Sequence, residues 1–311
     1  MERQHRWNYR FHVPENKRVR VIVDTDCKNE ADDQFALAHH LMTPRFDVRG
    51  IVAAHFDGNY RQYGRGNTEQ ASYDEIFKVM KLMGVEGEFP VYHGVTLPLE
   101  DASTPGQAEG VNFIVREALR EDDRPLYIAC QGTLTNVASA LLLRPEIARR
   151  MTVIWVGGGD YPAGGVEFNL SMDIAAANVV FSSQVPVWQL PMGMYKEFAV
   201  SLAELQWKVY PCGALGAYLF EQLVETNEQF AREGRIWPHG EVWGLGDQAS
   251  VAVLMEELER VSYDMVQAPT VLSDMSYSFK NENRPIRVYR KVDSRMVLED
   301  FFAKLALNFR R

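Results

Sequence analysis

Asp24, Asp26, Asp32 and Asp33 fall within ten residues of one another, with Glu30 among them. Carboxylates this close repel, and each raises the pKa of its neighbours. Such a cluster is tolerable when a cation sits in it or when one acid serves as a base. Hard oxygen donors suit Ca²⁺ or Mg²⁺ rather than Zn²⁺. Capping of a helix start would account for Asp32 and Asp33, but it leaves Asp24 and Asp26 unexplained. Three later segments carry residue types that would complete a polar site: Gly132-Thr133-Leu134-Thr135-Asn136, Glu167-Phe168-Asn169 and Gly246-Asp247-Gln248. Each also has a plain role, as a helix start with Thr caps, a polar loop edge and an Asp N-cap respectively.

These side chains need a frame. Val19–Val23 is a β-branched run that stops at Asp24, and Phe35, Leu37, Ala38, Leu41 and Met42 recur at helical spacing. A strand, an acidic loop and a helix start therefore follow one another, which places the acids at the carboxyl end of a strand, where open α/β proteins build their sites. The remainder alternates. Strands are expected over 47–54, 90–92, 125–130, 152–156 and 185–190, and helices over 68–83, 111–119, 133–143 and 173–181. The expected fold is an open, mostly parallel sheet with helices on both faces. Longer helices over 212–232 and 246–259, a late strand pair over 264–272 and 286–292, and a final helix over 294–307 complete it. Glu167 and Asn169, two apart in what reads as an extended segment, would point the same way and suit a grip on adjacent hydroxyls. No linker or repeat interrupts residues 19–311, so one domain behind an extension of residues 1–18 is expected.

Composition narrows the function. Of 311 residues, 46% are hydrophobic, enough for a packed core. A net charge of −9 without a basic stripe argues against a nucleic-acid surface. No run approaches the roughly 20 apolar residues of a membrane helix, and the basic residues before Val19 are followed by no signal-like apolar segment. Cys27, Cys130 and Cys212 fit no zinc motif, so a soluble, cytoplasmic protein in a reducing compartment is expected.

Asp24-Thr25-Asp26 followed by Asp32-Asp33 at a helix start resembles the opening motif of the inosine–uridine-type nucleoside hydrolases. Gly132–Asn136, Glu167–Asn169, Gly58-Asn59 and the late Asp247 resemble further motifs of that family in the same order. The resemblance implies a Ca²⁺ site, with Mg²⁺ second, made by Asp26, Asp33, Asp247 and the Gln131 carbonyl. It implies Asp26 as the base that activates water, with Asp24 supporting from behind. Asp32, Asn59, Glu167 and Asn169 would hold the sugar of a ribonucleoside, whose N-glycosidic bond is hydrolysed to ribose and free base for nucleotide salvage. A homodimer or homotetramer is implied as well. The chain departs from the family in three places. The loop between the aspartate pairs, Cys27–Ala31, is two residues longer. Gly246 stands where many relatives carry His or Trp, and Gly106–Gly110 lacks the family's His. Leaving-group help is therefore expected from Trp243, Trp237 or His239. Two rivals stand beside this reading: a phosphatase with Asp24 as nucleophile, and a non-catalytic sugar- or nucleoside-binding relative.

Overall fold

The computed structural model describes residues 6–235, 240–256 and 262–310, without the side chains of residues 59–61. Strand β1 (Val19–Thr25) is buried along its whole length, as its unbroken β-branched run requires. Its pleat sends Val19, Val21 and Val23 to one face and Ile22 to the other, and each face has its own core.

The main sheet adds β2 (Phe46–Ala53), β3 (Val91–Tyr92), β4 (Leu126–Cys130), β5 (Thr152–Val156), β6 (Val187–Leu190), β7 (Ser262–Gln267) and β8 (Pro285–Lys291). Their spatial order is β3-β2-β1-β4-β5-β6-β8-β7. All neighbours run parallel except β7, which lies antiparallel to β8. The expected open α/β sheet with a late strand pair is what forms. Two short antiparallel pairs lie outside it, Ala199–Ser201 with Val242–Gly244 and Thr270–Val271 with Tyr277–Ser278.

One face carries helices Asp33–Met42, Thr68–Met83, Gly213–Arg232, Gln248–Met255 and Ser294–Phe309. The other carries Glu109–Ala118, Thr135–Leu143 and Ile174–Ser182. Strand order reverses direction between β1 and β4, so the loops leaving those two strands diverge to opposite faces and open a crevice. Helix Asp33–Met42 is buried on every side, between the sheet and helices Gln248–Met255 and Ser294–Phe309. His39 and His40 are therefore core residues. His39 bridges Gln248 Oε1 at 2.6 Å and Asp300 Oδ2 at 2.8 Å, and His40 meets Ser250 Oγ at 3.1 Å.

The segment before β1 packs against this layer through Trp7 Nε1, which donates to the Leu41 carbonyl at 3.1 Å, and the Tyr9 hydroxyl, which donates to that of Met42 at 2.9 Å. No helix of the described residues is long and apolar enough to cross a membrane.

Candidate active site

The crevice at the carboxyl ends of β1, β4, β5 and β6 is a pocket walled by Asp26, Asn29, Glu30, Asp32, Asp33, Gln131, Val156, Glu167, Phe168, Asn169, Tyr195, Gly246 and Asp247. Eight of the expected site residues are described with their side chains. Seven of these meet here: Asp26, Asp32, Asp33, Gln131, Glu167, Asn169 and Asp247.

The acids arrive from three directions. Asp26 follows β1 directly, and its Oδ2 accepts from Asn29 Nδ2 at 3.1 Å. Asp33 opens helix Asp33–Met42, and its Oδ1 accepts from Thr25 Oγ1 at 2.5 Å. Asp247 precedes helix Gln248–Met255 and sits beside Asp32 and Asp33; ligand oxygens of these three lie within 4.8 Å of one another, and all three residues are buried. Asp33 is also in hydrogen-bonding reach of both Asp26 and Asp247. Two helix N-termini thus face the acids with their positive ends, which offsets part of the repulsion. The remainder is large. Burial first, then the neighbouring carboxylates, pushes the carboxyls of Asp26 and Asp247 well above the ordinary range. Burial raises Glu30 in the same way, with Asp32 and Asp33 adding to it.

An oxygen-only cluster of this kind fits a hard divalent cation, whose charge would reverse those shifts. Gln131 lines the same pocket as the acids. Asn169 Nδ2 donates to the Gln131 carbonyl at 3.0 Å and to the Val156 carbonyl at 2.8 Å. A carbonyl has two lone pairs, so one remains for a ligand. The Gln131 side chain turns away and donates to Ser250 Oγ at 3.0 Å.

The segment from Glu167 to Asn169 departs from expectation. It is not extended: Glu167 caps a short helix, Phe168–Met172, and its carboxylate accepts from the N–H groups of Asn169 and Leu170. A third backbone donor is Gly158, whose N–H meets Glu167 Oε2 at 2.7 Å from a turn at φ +84°. The capping bonds supply the helix signal that five residues are too short to show as periodicity.

The Gly132–Asn136 motif is mostly scaffold. Asn136 Oδ1 accepts from the Val95 N–H at 2.8 Å and its Nδ2 donates to the Ala53 carbonyl at 3.3 Å, while Thr135 Oγ1 donates to Asp173 Oδ2 at 2.7 Å.

Asp24 lies beneath the site, fully buried and off the pocket wall; burial, opposed by the Asn136 side chain, pushes its pKa to about 7. A nucleophile must reach substrate, so the phosphatase rival loses its central residue.

Trp243 is the expected base-side residue that the fold takes away. It is 1% exposed, lies in the Val242–Gly244 strand paired with Ala199–Ser201, and packs on Phe230 in the core. Trp237 and His239 lie outside the described residues, and so does the side chain of Asn59, whose backbone is in the turn Asp57–Gln62. Tyr195 and Asn29 line the pocket without belonging to any of the sequence motifs. Asn29 was visible inside the acidic loop. Tyr195 had a weaker signal, its place just after a strand, in the turn Met192–Tyr195 beyond β6.

The Cys27–Ala31 loop is clamped from behind. Gln34 Nε2 donates to the Cys27 carbonyl at 2.8 Å and to Glu75 Oε1 at 3.2 Å, Lys28 Nζ pairs with Glu75 Oε2 at 3.4 Å, and the Tyr218 hydroxyl donates to Glu75 as well. Cys27 and Lys28 are therefore tied to the layer behind the loop.

Known proteins share this fold and, in part, this sequence. A pyrimidine-specific ribonucleoside hydrolase RihA from Citrobacter koseri is 28% identical over a 188-residue alignment, with 52% of this chain and 57% of that protein covered. This chain thus matches little more than half the length of that relative. Among solved structures, a plant nucleoside hydrolase, PpNRh1, superposes with a TM-score of 0.71 at 17% identity, covering 92% of this chain and 98% of the other. A purine-preferring ribonucleoside hydrolase from Gardnerella vaginalis gives 0.70 at 18%, covering 93% and 99%. At such identities the structures speak for the fold. The family profile described as inosine-uridine preferring nucleoside hydrolase matches residues 21–299, nearly the whole chain, and this chain belongs to that family.

Proposed function

We propose that this chain is a metal-dependent hydrolase that cleaves the N-glycosidic bond of ribonucleosides to ribose and the free base. The observation that carries this reading is the meeting of Asp26, Asp33 and Asp247 with Gln131, Glu167 and Asn169 around one pocket. Asp26, Asp33, Asp247 and the Gln131 carbonyl would hold Ca²⁺, which when bound lowers the pKa of a coordinated water and anchors sugar hydroxyls.

The chain's own groups do the rest. Asp26, oriented by Asn29, accepts a proton from the water that adds to the anomeric carbon. Asp32, tied to the Asp247 N–H, faces the sugar as positive charge develops on its ring, and carboxylates nearby stabilise that charge. Glu167 and Asn169 hold the sugar in place, since misplacement costs rate steeply.

Ribose release from purine and pyrimidine ribonucleosides tests this, with p-nitrophenyl phosphate as the contrast. Release should need Ca²⁺, stop on chelation and return on its replacement, while the phosphate ester stays intact. Nucleoside binding without release at any metal loading would make the chain a non-catalytic binder instead.

A further inference from the structure

Four hydrogen bonds converge on the Glu167 carboxylate. Its Oε2 accepts from the N–H groups of Gly158 at 2.7 Å and Leu170 at 2.9 Å. Its Oε1 accepts from the Asn169 N–H at 3.2 Å and from the Tyr195 hydroxyl at 2.9 Å. A carboxylate offers about four lone-pair sites, and four donors fill them. Three are backbone groups held by a turn and a helix start. The fourth is the hydroxyl of Tyr195, a residue of the pocket wall, and a phenol oxygen that donates can still accept. Burial, with Glu167 adjoining, pushes the phenol pKa well up, so the group stays a neutral donor.

The Tyr195 ring is placed as closely as its hydroxyl. A Cβ added at Gly246 would stand 2.9 Å from Tyr195 Cδ2 and 3.6 Å from Asp32 Oδ2. The ring therefore occupies the space that a side chain at position 246 would take, between Glu167 and the acids.

We propose that Tyr195 is the residue through which Glu167 grips the substrate: its hydroxyl donates to Glu167 and accepts from one hydroxyl of a furanose sugar, while its ring replaces the missing side chain at position 246. This rests on the nucleoside hydrolase reading and adds to it the residue that selects for that sugar hydroxyl.

Tyr195→Phe keeps the ring and removes the acceptor. Kinetics with a ribonucleoside and its 2′-, 3′- and 5′-deoxy analogues should show KM raised about three- to tenfold for the parent, kcat within about twofold and bound metal unchanged. One deoxy analogue, penalised with the unsubstituted protein, should suffer no further penalty with the variant, because both changes remove the same hydrogen bond. Gly246→Ala, which crowds the ring, should erase the selectivity for that same hydroxyl and add little when combined with Tyr195→Phe. Calorimetric binding of ribose and its deoxy forms reads the same coupling without turnover, so an inactive protein would sink the proposed reaction and still judge Tyr195. Deoxy penalties that are all retained in Tyr195→Phe, in kinetics or in binding, would overturn the inference and leave a purely structural tyrosine.

Discussion

The backbone N–H of Asp247 donates to Oδ2 of Asp32 at 3.2 Å, so two residues 215 apart in the chain begin their helices at one point. The bond spends one oxygen of Asp32 on joining the acidic loop to the late helix. It leaves Asp33 and Asp247 side by side, with no basic residue among the described residues that line the pocket around them.

Asp247→Ala removes one wall of the cation site and relieves repulsion in the metal-free protein. In thermal melts, Ca²⁺ at a hundredfold excess over its Kd should stabilise the unsubstituted chain by about 2.7 kcal/mol and leave Asp247→Ala unmoved. An equal Ca²⁺ response in both would place the cation elsewhere.

Asp26→Asn keeps the shape and one oxygen ligand but loses proton acceptance. Turnover of a ribonucleoside should fall by ~10²–10⁴-fold, with metal content measured alongside because loss of the ion would give the same drop. Unchanged turnover in the metal-loaded variant would move the base to Asp32 or Glu30.

Glu75→Ala leaves Tyr218, Lys28 and Gln34 without their shared acceptor behind the acidic loop. Stability should fall by about 1–3 kcal/mol, read as a lower melting temperature. The ratio kcat/KM should fall less than for Asp26→Asn, because Glu75 acts only by holding the loop. A loss as deep as that of Asp26→Asn would show that loop geometry governs the chemistry.

Asp300 gives stability a pH dependence. Although burial pushes its carboxyl up, the bond with His39 and the charge of Lys304 prevail and hold it below the ordinary carboxylate value. A depressed carboxyl stabilises the fold fully above its unfolded pKa, about 3.9, and that stability is lost as pH falls through the lower folded value. Asp300→Asn should therefore lower the melting temperature most at neutral pH. The gap from the unsubstituted chain should close below about pH 4. A gap that stays constant with pH would assign the role to packing.

Trp243→Ala should cost about 3–5 kcal/mol as a buried large-to-small change, and slow purine nucleosides and an activated nitrophenyl riboside alike. Selective loss of purine turnover would return Trp243 to the base site and contradict its burial against Phe230.

What the sequence determined by itself is the local part. Val19–Val23, Thr152–Val156 and the helical stripe after Asp33 declare their element types, because β-branched runs and apolar periodicity act over a few residues. Their alternation then selects a parallel sheet, and a parallel sheet places the loops after β1 and β4 at one crevice. Tertiary structure decided the rest. Whether an aromatic in a Gly/Pro-rich stretch is wall or core depends on what covers it, so Trp243 went to the core. Glu167 capped a helix instead of lying extended, because Gly158, Leu170 and Asn169 brought it donors that no spacing rule counts. Tyr195 reached the pocket because β6 ends beside β5 in space, and the opening at Gly246 gave its ring a place. Burial and convergence are collective properties of the folded chain, which is why they appear only once strands and helices are packed together.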